Sequence, residues 1–202
     1  NNQSSCPIYL DSNGVTIKAC DDANVGDTGV INGITYTVVD EAMLREMVAN
    51  EEDVTRVVTT RVTDMSELFF LGSNDNGTPI FNNFNQDISS WDVSNVTYMI
   101  NMFLGANAFN RPIRNWDVSS VTNMSGMFFG IPSNPTSAFN QPIGNWNVSN
   151  VTDMSFMFSN AVDFNQDLSS WSVNGVTFCF GFSISALSWT LPQPNFTNCD
   201  PN

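Results

Sequence analysis

The chain has 202 residues, 42% of them hydrophobic, enough to build a core. Only 13% are charged, against about 25% in ordinary globular proteins, and six Lys plus Arg leave a net charge of -14. That balance argues against nucleic-acid binding and docking on anionic lipid, which need cations, and with no His there is no Ser-His-Asp or Cys-His catalysis.

At the N-terminus, Cys6 and Cys20 form one pair of cysteines; Cys179 and Cys199 form another near the C-terminus. Three pairings are open for four cysteines. The local ones, Cys6–Cys20 and Cys179–Cys199, are expected as disulfides, which implies an oxidising compartment. The cysteines lack CxxC spacing, so no metal is expected from them. Calcium is suggested only by Asp21-Asp22-x-Asn24 and by Asp75 in SNDNGT, and neither completes an EF-hand pattern. No other cofactor is expected. No charged n-region precedes an apolar h-region, so the sequence reads as a mature form or an excised fragment. No apolar run reaches about 18 residues, so no membrane insertion is expected.

Gly26–Tyr36 reads as a hairpin around Asn32-Gly33, a strong two-residue turn signal. Asp40 then caps a predicted helix carrying Ala42, Met43, Leu44, Met47 and Val48.

From here the chain repeats itself. The segments FNQDISSWDVSNVTYMINMF from Phe84, FNRPIRNWDVSSVTNMSGMF from Phe109, FNQPIGNWNVSNVTDMSFMF from Phe139 and FNQDLSSWSVNGVTFCFGFS from Phe164 share one pattern. Their tryptophans, Trp91, Trp116, Trp146 and Trp171, step by 25, 30 and 25 residues. A degenerate unit, Val62–Phe69, precedes them with Val57 at the Trp position, 34 residues before Trp91. The surplus residues, near Gly72–Ile80 and Ile131–Ser137, fall in one slot between units. Insertions at one slot form loops on one edge of an array, which makes Asn74, Asp75, Asn76, Ser133 and Asn134 candidate edge-loop residues.

Each unit opens on the leucine-rich pattern, as in Ile88-x-x-Trp91-x-Val93-x-x-Val96. Its x-Trp-x-Val portion reads as a short strand with alternating faces. The Val96-Thr97-x-Met99-x-x-Met102-Phe103 portion reads as one or two helical turns, with Thr97, Thr122, Thr152 and Thr177 placed to cap them. The phenylalanines Phe84, Phe109, Phe139 and Phe164 are expected to stack inside. Beside them, Asn85, Asn110, Asn140 and Asn165 read as a ladder satisfying backbone groups between coils. The fold expected is therefore an α/β repeat: a leucine-rich-repeat-like right-handed solenoid with short parallel strands and short helical turns, capped at both ends. Residues 1–53 form the N-terminal cap, 54–183 about five repeats and 184–202 the C-terminal cap.

The outward positions form three rows whose members include Ser90, Asn115 and Asn145; Asp92, Asp117 and Asn147; and Ser94, Ser119 and Ser149. They are the candidate binding face: small, polar and mildly acidic. Asp92 and Asp117, in adjacent coils, have the spacing of paired catalytic carboxylates. An exposed sheet offers little to raise either pKa, so no catalytic residues are assigned and no enzyme is expected.

The W-x-V-S-x-V-T-x-M-x-x-M-F repeat, running from about Val54 to Ser183, resembles the BspA-like leucine-rich repeats of bacterial surface proteins. The run Tyr36–Arg45 resembles the cap that precedes such arrays. The resemblance implies secretion, surface display and an adhesive or recognition role, with a host or neighbouring-cell protein or glycan as partner. A structural subunit that self-assembles into a surface layer, filament or stalk is the alternative. A glycan- or ice-binding repeat face is another.

Overall fold

The computed structural model describes residues 6–77, 80–131 and 137–202. Ser133 and Asn134 of the second candidate edge loop lie outside them. Strands β1 (Ile8–Leu10) and β2 (Ile17–Ala19) pair antiparallel. Strands β3 (Thr28–Ile31) and β4 (Ile34–Val38) form a hairpin with Ile31 opposite Ile34. Its turn residues Asn32 and Gly33 have φ of 51° and 79°, as a two-residue turn of this hand requires. Helix α1 (Glu41–Ala49) follows, and the Asp40 carboxylate accepts from the Met43 N–H at 2.9 Å. The two-residue strand β5 (Val57–Val58) then joins β4 in parallel. The N-terminal hairpins enclose a small core of Ile8, Ile17, Ala19, Ala23, Val38 and Val58. The main core runs from Val39 to Trp189.

The repeats do not form the α/β solenoid expected from the pattern. Among the described residues α1 is the single α-helix, and no strand follows Val58. Successive units meet instead through isolated one-residue parallel bridges along Asp64, Tyr98, Asn123, Asp153 and Phe178. Hydrogen bonding explains the difference. In each Ile-x-x-Trp-x-Val-x-x-Val segment the Trp N–H donates to the Ile carbonyl and the second Val N–H to the first Val carbonyl. Two tight turns in succession leave no length for a strand. The Met-x-x-Met segment is no helix either, because its third residue is left-handed in every unit: Glu67, Asn101, Gly126, Phe156 and Gly181 have φ between 52° and 69°. An α-helix cannot run through that conformation. The predicted threonine caps are therefore absent. The Thr97, Thr122 and Thr152 hydroxyls donate to the preceding threonine's carbonyl at 3.1–3.2 Å.

Aromatic columns hold the stacked units together. The indoles of Trp91, Trp116, Trp146 and Trp171 stack at 6.5, 6.4 and 6.3 Å. Phe84, Phe109, Phe139 and Phe164 stack at 5.9–6.0 Å. A second phenylalanine column, Phe69, Phe103, Phe128 and Phe158, stacks at 5.2–5.4 Å and leans on the first. Each indole N–H reaches into the preceding unit, to the carbonyls of Val54, Ile88, Ile113 and Ile143. Buried tryptophans thus carry their apolar surface and satisfy their polar atom together. At the far end Trp189 sits edge-on to Phe158 and Phe164, at 75° and 83°, which closes the stack. Cys179 and Cys199 are joined by a disulfide across this cap.

Cys6 and Cys20, expected as a second disulfide, are free thiols in the structure. The Cys6 thiol donates to the Ile8 carbonyl at 2.8 Å. Burial, followed by the neighbouring Cys6 sulfur, pushes the Cys20 thiol up to about 11.

Candidate functional site

The outward rows alternate with buried Trp and Val, so the period-two burial is present without the strand. Asn115, Asp117, Asn145, Asn147 and Ser149 are exposed, and Ser119 is half-buried. Local bonds fix their geometry. The Asp117 carboxylate accepts from the Ser119 N–H at 3.1 Å, and the Asn147 amide oxygen from the Ser149 hydroxyl at 2.8 Å. Asn145 donates to the Arg114 carbonyl of the previous unit at 2.9 Å.

The first unit does not join this face. Asp92 is 2% exposed. Its carboxylate accepts from the Thr60 hydroxyl at 2.7 Å and from the Ser94 hydroxyl at 2.7 Å. Strand β2 lies over the unit, with the Ile17 N–H donating to the Ser90 carbonyl. Lys18, on the same strand, has its ammonium opposed by burial, yet the Asp92 and Asp11 carboxylates prevail and its pKa is raised. Asp92 is thus a structural anchor for the N-terminal cap rather than a partner of Asp117 on an open surface. Ser90 and Ser94 are half-buried beside it. The face begins at Asn115.

The first edge loop presents Asn74, Asp75 and Asn76 to solvent. The Asn76 N–H donates to the Asn74 side chain at 3.0 Å, and the Ile80 N–H closes the loop on the Gly72 carbonyl at 2.8 Å. Among the described residues no group of three Cys, Asp or Glu side chains is arranged to hold a metal ion. The nearest feature at the N-terminal calcium motif is internal, Asn24 donating its N–H to Asp27 at 2.7 Å.

A feature the motif reading passed over is a cavity of about 570 Å³ between the C-terminal end of α1 and the first full unit. Its apolar lining includes Val54, Leu71, Phe81 and Phe84, and its polar lining includes Glu51, Glu52 and Asn83.

Residues 39–133 and 74–189 each match the family described as Mycoplasma protein of unknown function, DUF285. The chain belongs to this family. The matched residues take in α1, all the repeats and the start of the C-terminal cap, so the DUF285 pattern and the stacked aromatic units cover the same stretch. The comparisons with curated proteins and with solved structures find no match. Among the described residues of this DUF285 chain, no helix is long and apolar enough to cross a membrane.

Proposed function

We propose that this DUF285 chain is a non-enzymatic extracellular surface protein, an adhesion or recognition module that binds through its polar rows and edge loops. The carrying observation is the set of exposed Asn115, Asp117, Asn145, Asn147 and Ser149 side chains, repeated in register on a rigid aromatic stack. Small side chains pinned by local hydrogen bonds lose little entropy on contact and suit repeated, individually weak contacts with a polar ligand. Family membership, the BspA-like sequence pattern and the Cys179–Cys199 disulfide support an extracellular setting. The rows contain no Trp, Tyr or Arg, and the guanidiniums of their first unit are Arg111 and Arg114 just before Asn115, so a tight protein–protein hot spot is not expected there.

A structural subunit is the second reading, supported by exposed apolar side chains on the last unit, Phe178 at 63% and Phe180 at 56%, and on the C-terminal cap, Leu187 at 81%. An ice- or glycan-binding threonine row finds less support, since the Thr97, Thr122 and Thr152 hydroxyls are already engaged. Light-scattering chromatography with and without calcium, beside a glycan array, tests the proposal. A monomer that captures a defined glycan class, and loses it on Asn145→Ala with Asn147→Ala, is the expected result. Ordered self-assembly with an empty array overturns it in favour of the subunit.

A further inference from the structure

The cavity beside α1 occupies the position where the repeat register calls for another Phe-Asn pair. Phe164, Phe139, Phe109 and Phe84 form one column at 5.9–6.0 Å spacing. Counting back the 34 residues that separate Trp91 from Val57 places Asn50 at the next Phe position and Glu51 at the next Asn position. Neither continues the ladder. The chain is still closing α1 there: the Glu51 N–H bonds the Val48 carbonyl, the Glu52 N–H bonds the Met47 carbonyl, and Glu51 is left-handed with φ of 57°. That bend carries the backbone away and leaves the Phe84 ring facing the cavity.

The polar half of the ladder stops at the same place. The Asn110, Asn140 and Asn165 N–H groups each donate to the preceding unit's Asn Oδ1, at 3.1, 3.1 and 2.9 Å. The Asn85 N–H, which lines the cavity, has no acceptor among the described residues. Two polar side chains of the wall are committed. Gln86 donates to the Glu52 carbonyl and accepts from the Val54 N–H, and Asn82 donates to the Phe69 carbonyl and accepts from the Phe84 N–H.

We propose that this cavity is a docking site for a peptide segment of a partner protein, carrying an aromatic ring followed directly by Asn or Asp. The ring extends the Phe84 column between Val54, Leu71 and Phe81. The next side-chain oxygen accepts from the Asn85 N–H. The volume is in the range of sites that enclose small ligands, about 300–1,000 Å³. The site is separate from the polar rows and stands whether or not those bind anything.

The test is a titration of the full ¹⁵N-labelled chain with a synthetic peptide of the sequence Ser137–Ile143, SAFNQPI, followed by amide shifts. The expected result is saturable shifts centred on Asn85, Phe84 and Val54, with affinity falling at least about tenfold when the peptide's Phe becomes Ala or its Asn becomes Leu. Leu71→Glu on the exposed rim should abolish binding, and the peptide variants decide the matter if that variant does not fold. No shift at millimolar peptide overturns the proposal. So do shifts indifferent to both peptide substitutions, or cellobiose saturating the same amides without competition from the peptide.

Discussion

Each Trp side chain in the stack does two jobs, and substitution separates them. Trp116 is 3% exposed and its N–H donates to the Ile88 carbonyl at 3.2 Å. Trp116→Phe keeps most of the apolar surface and removes one of two hydrogen bonds to the Ile88 carbonyl, which still accepts from the Trp91 N–H, at a cost of about 0.5–1.5 kcal/mol. Trp116→Ala also opens a cavity and should cost about 3–5 kcal/mol. Urea midpoints falling in that order are the check; equal losses would mean that the ring's apolar surface contributes nothing beyond the hydrogen bond. Close approach of the coils makes a second residue-scale demand. A Cβ on Gly130 would run into the Asn160 carbonyl, which is backbone on the facing unit and cannot swing away. On Gly126 it would meet only the Asn101 side-chain amide, although φ there is 62°. Gly130→Ala should therefore lower stability by about 1–3 kcal/mol through overpacking. Gly126→Ala should lose about 1–2 kcal/mol, set by the left-handed backbone. A Gly130→Ala protein with an unshifted melting temperature would mean that the units separate easily.

Among the elements, what was legible in the sequence is what side-chain identity dictates. The Asn-Gly turn, the Asp40 cap and the inward Trp and Val of each unit follow from local chemistry, and the structure has each of them. The regular secondary structure was not legible, for a physical reason. Met99-x-x-Met102 has helical spacing, but the left-handed state of Asn101 depends on its N–H bonding the Ser125 carbonyl of the next unit. No local pattern reveals such a partner. The C-terminal cap is the element most dependent on covalent help, because it has no helix or strand of its own. The Cys179–Cys199 bridge spans 20 residues and should contribute about 2–4 kcal/mol. Reductant should lower the melting temperature of the native chain and leave that of Cys199→Ser unchanged. At the start of the first unit, the Thr55 hydroxyl and N–H donate to Asp53 at 2.6 and 2.9 Å and hold its carboxyl below the ordinary 3.8. A depressed folded-state value gives stability that is present above the unfolded pKa and lost as pH falls through the folded one. Asp53→Asn should thus have a flatter stability curve below about pH 4 than the native chain, measured by urea midpoints across pH.

At the scale of the whole molecule, charge and register matter more than any element. With a net charge of -14 the compact state repels itself. Raising salt from about 0.01 M to about 0.15 M shortens the screening length from about 30 to about 8 Å, so the melting temperature should rise over that interval. A fall would mean that ion pairs such as Lys18 with Asp11, at 3.5 Å, outweigh the repulsion. The candidate face was only partly legible at this scale. Asn115, Asp117, Asn145, Asn147 and Ser149 stand where the repeat put them, whereas Asp92 is covered by β2, an element outside the repeat. The cavity beside α1 was detectable in principle, as the one register position where Asn50 stands in place of Phe.

The columns are not evenly spaced. Backbones joined by parallel bridges lie about 4.8 Å apart, while the phenylalanine columns step by 5.2–5.4 and 5.9–6.0 Å and the indoles by 6.3–6.5 Å. Rungs that diverge steadily from one side to the other make an arc, with the bridged row on its inner edge and the tryptophans toward the outer. Every added copy of the unit would lengthen the arc and turn it further. Copy number in such a chain sets reach and bend together, and the two cannot be tuned apart without changing the rings.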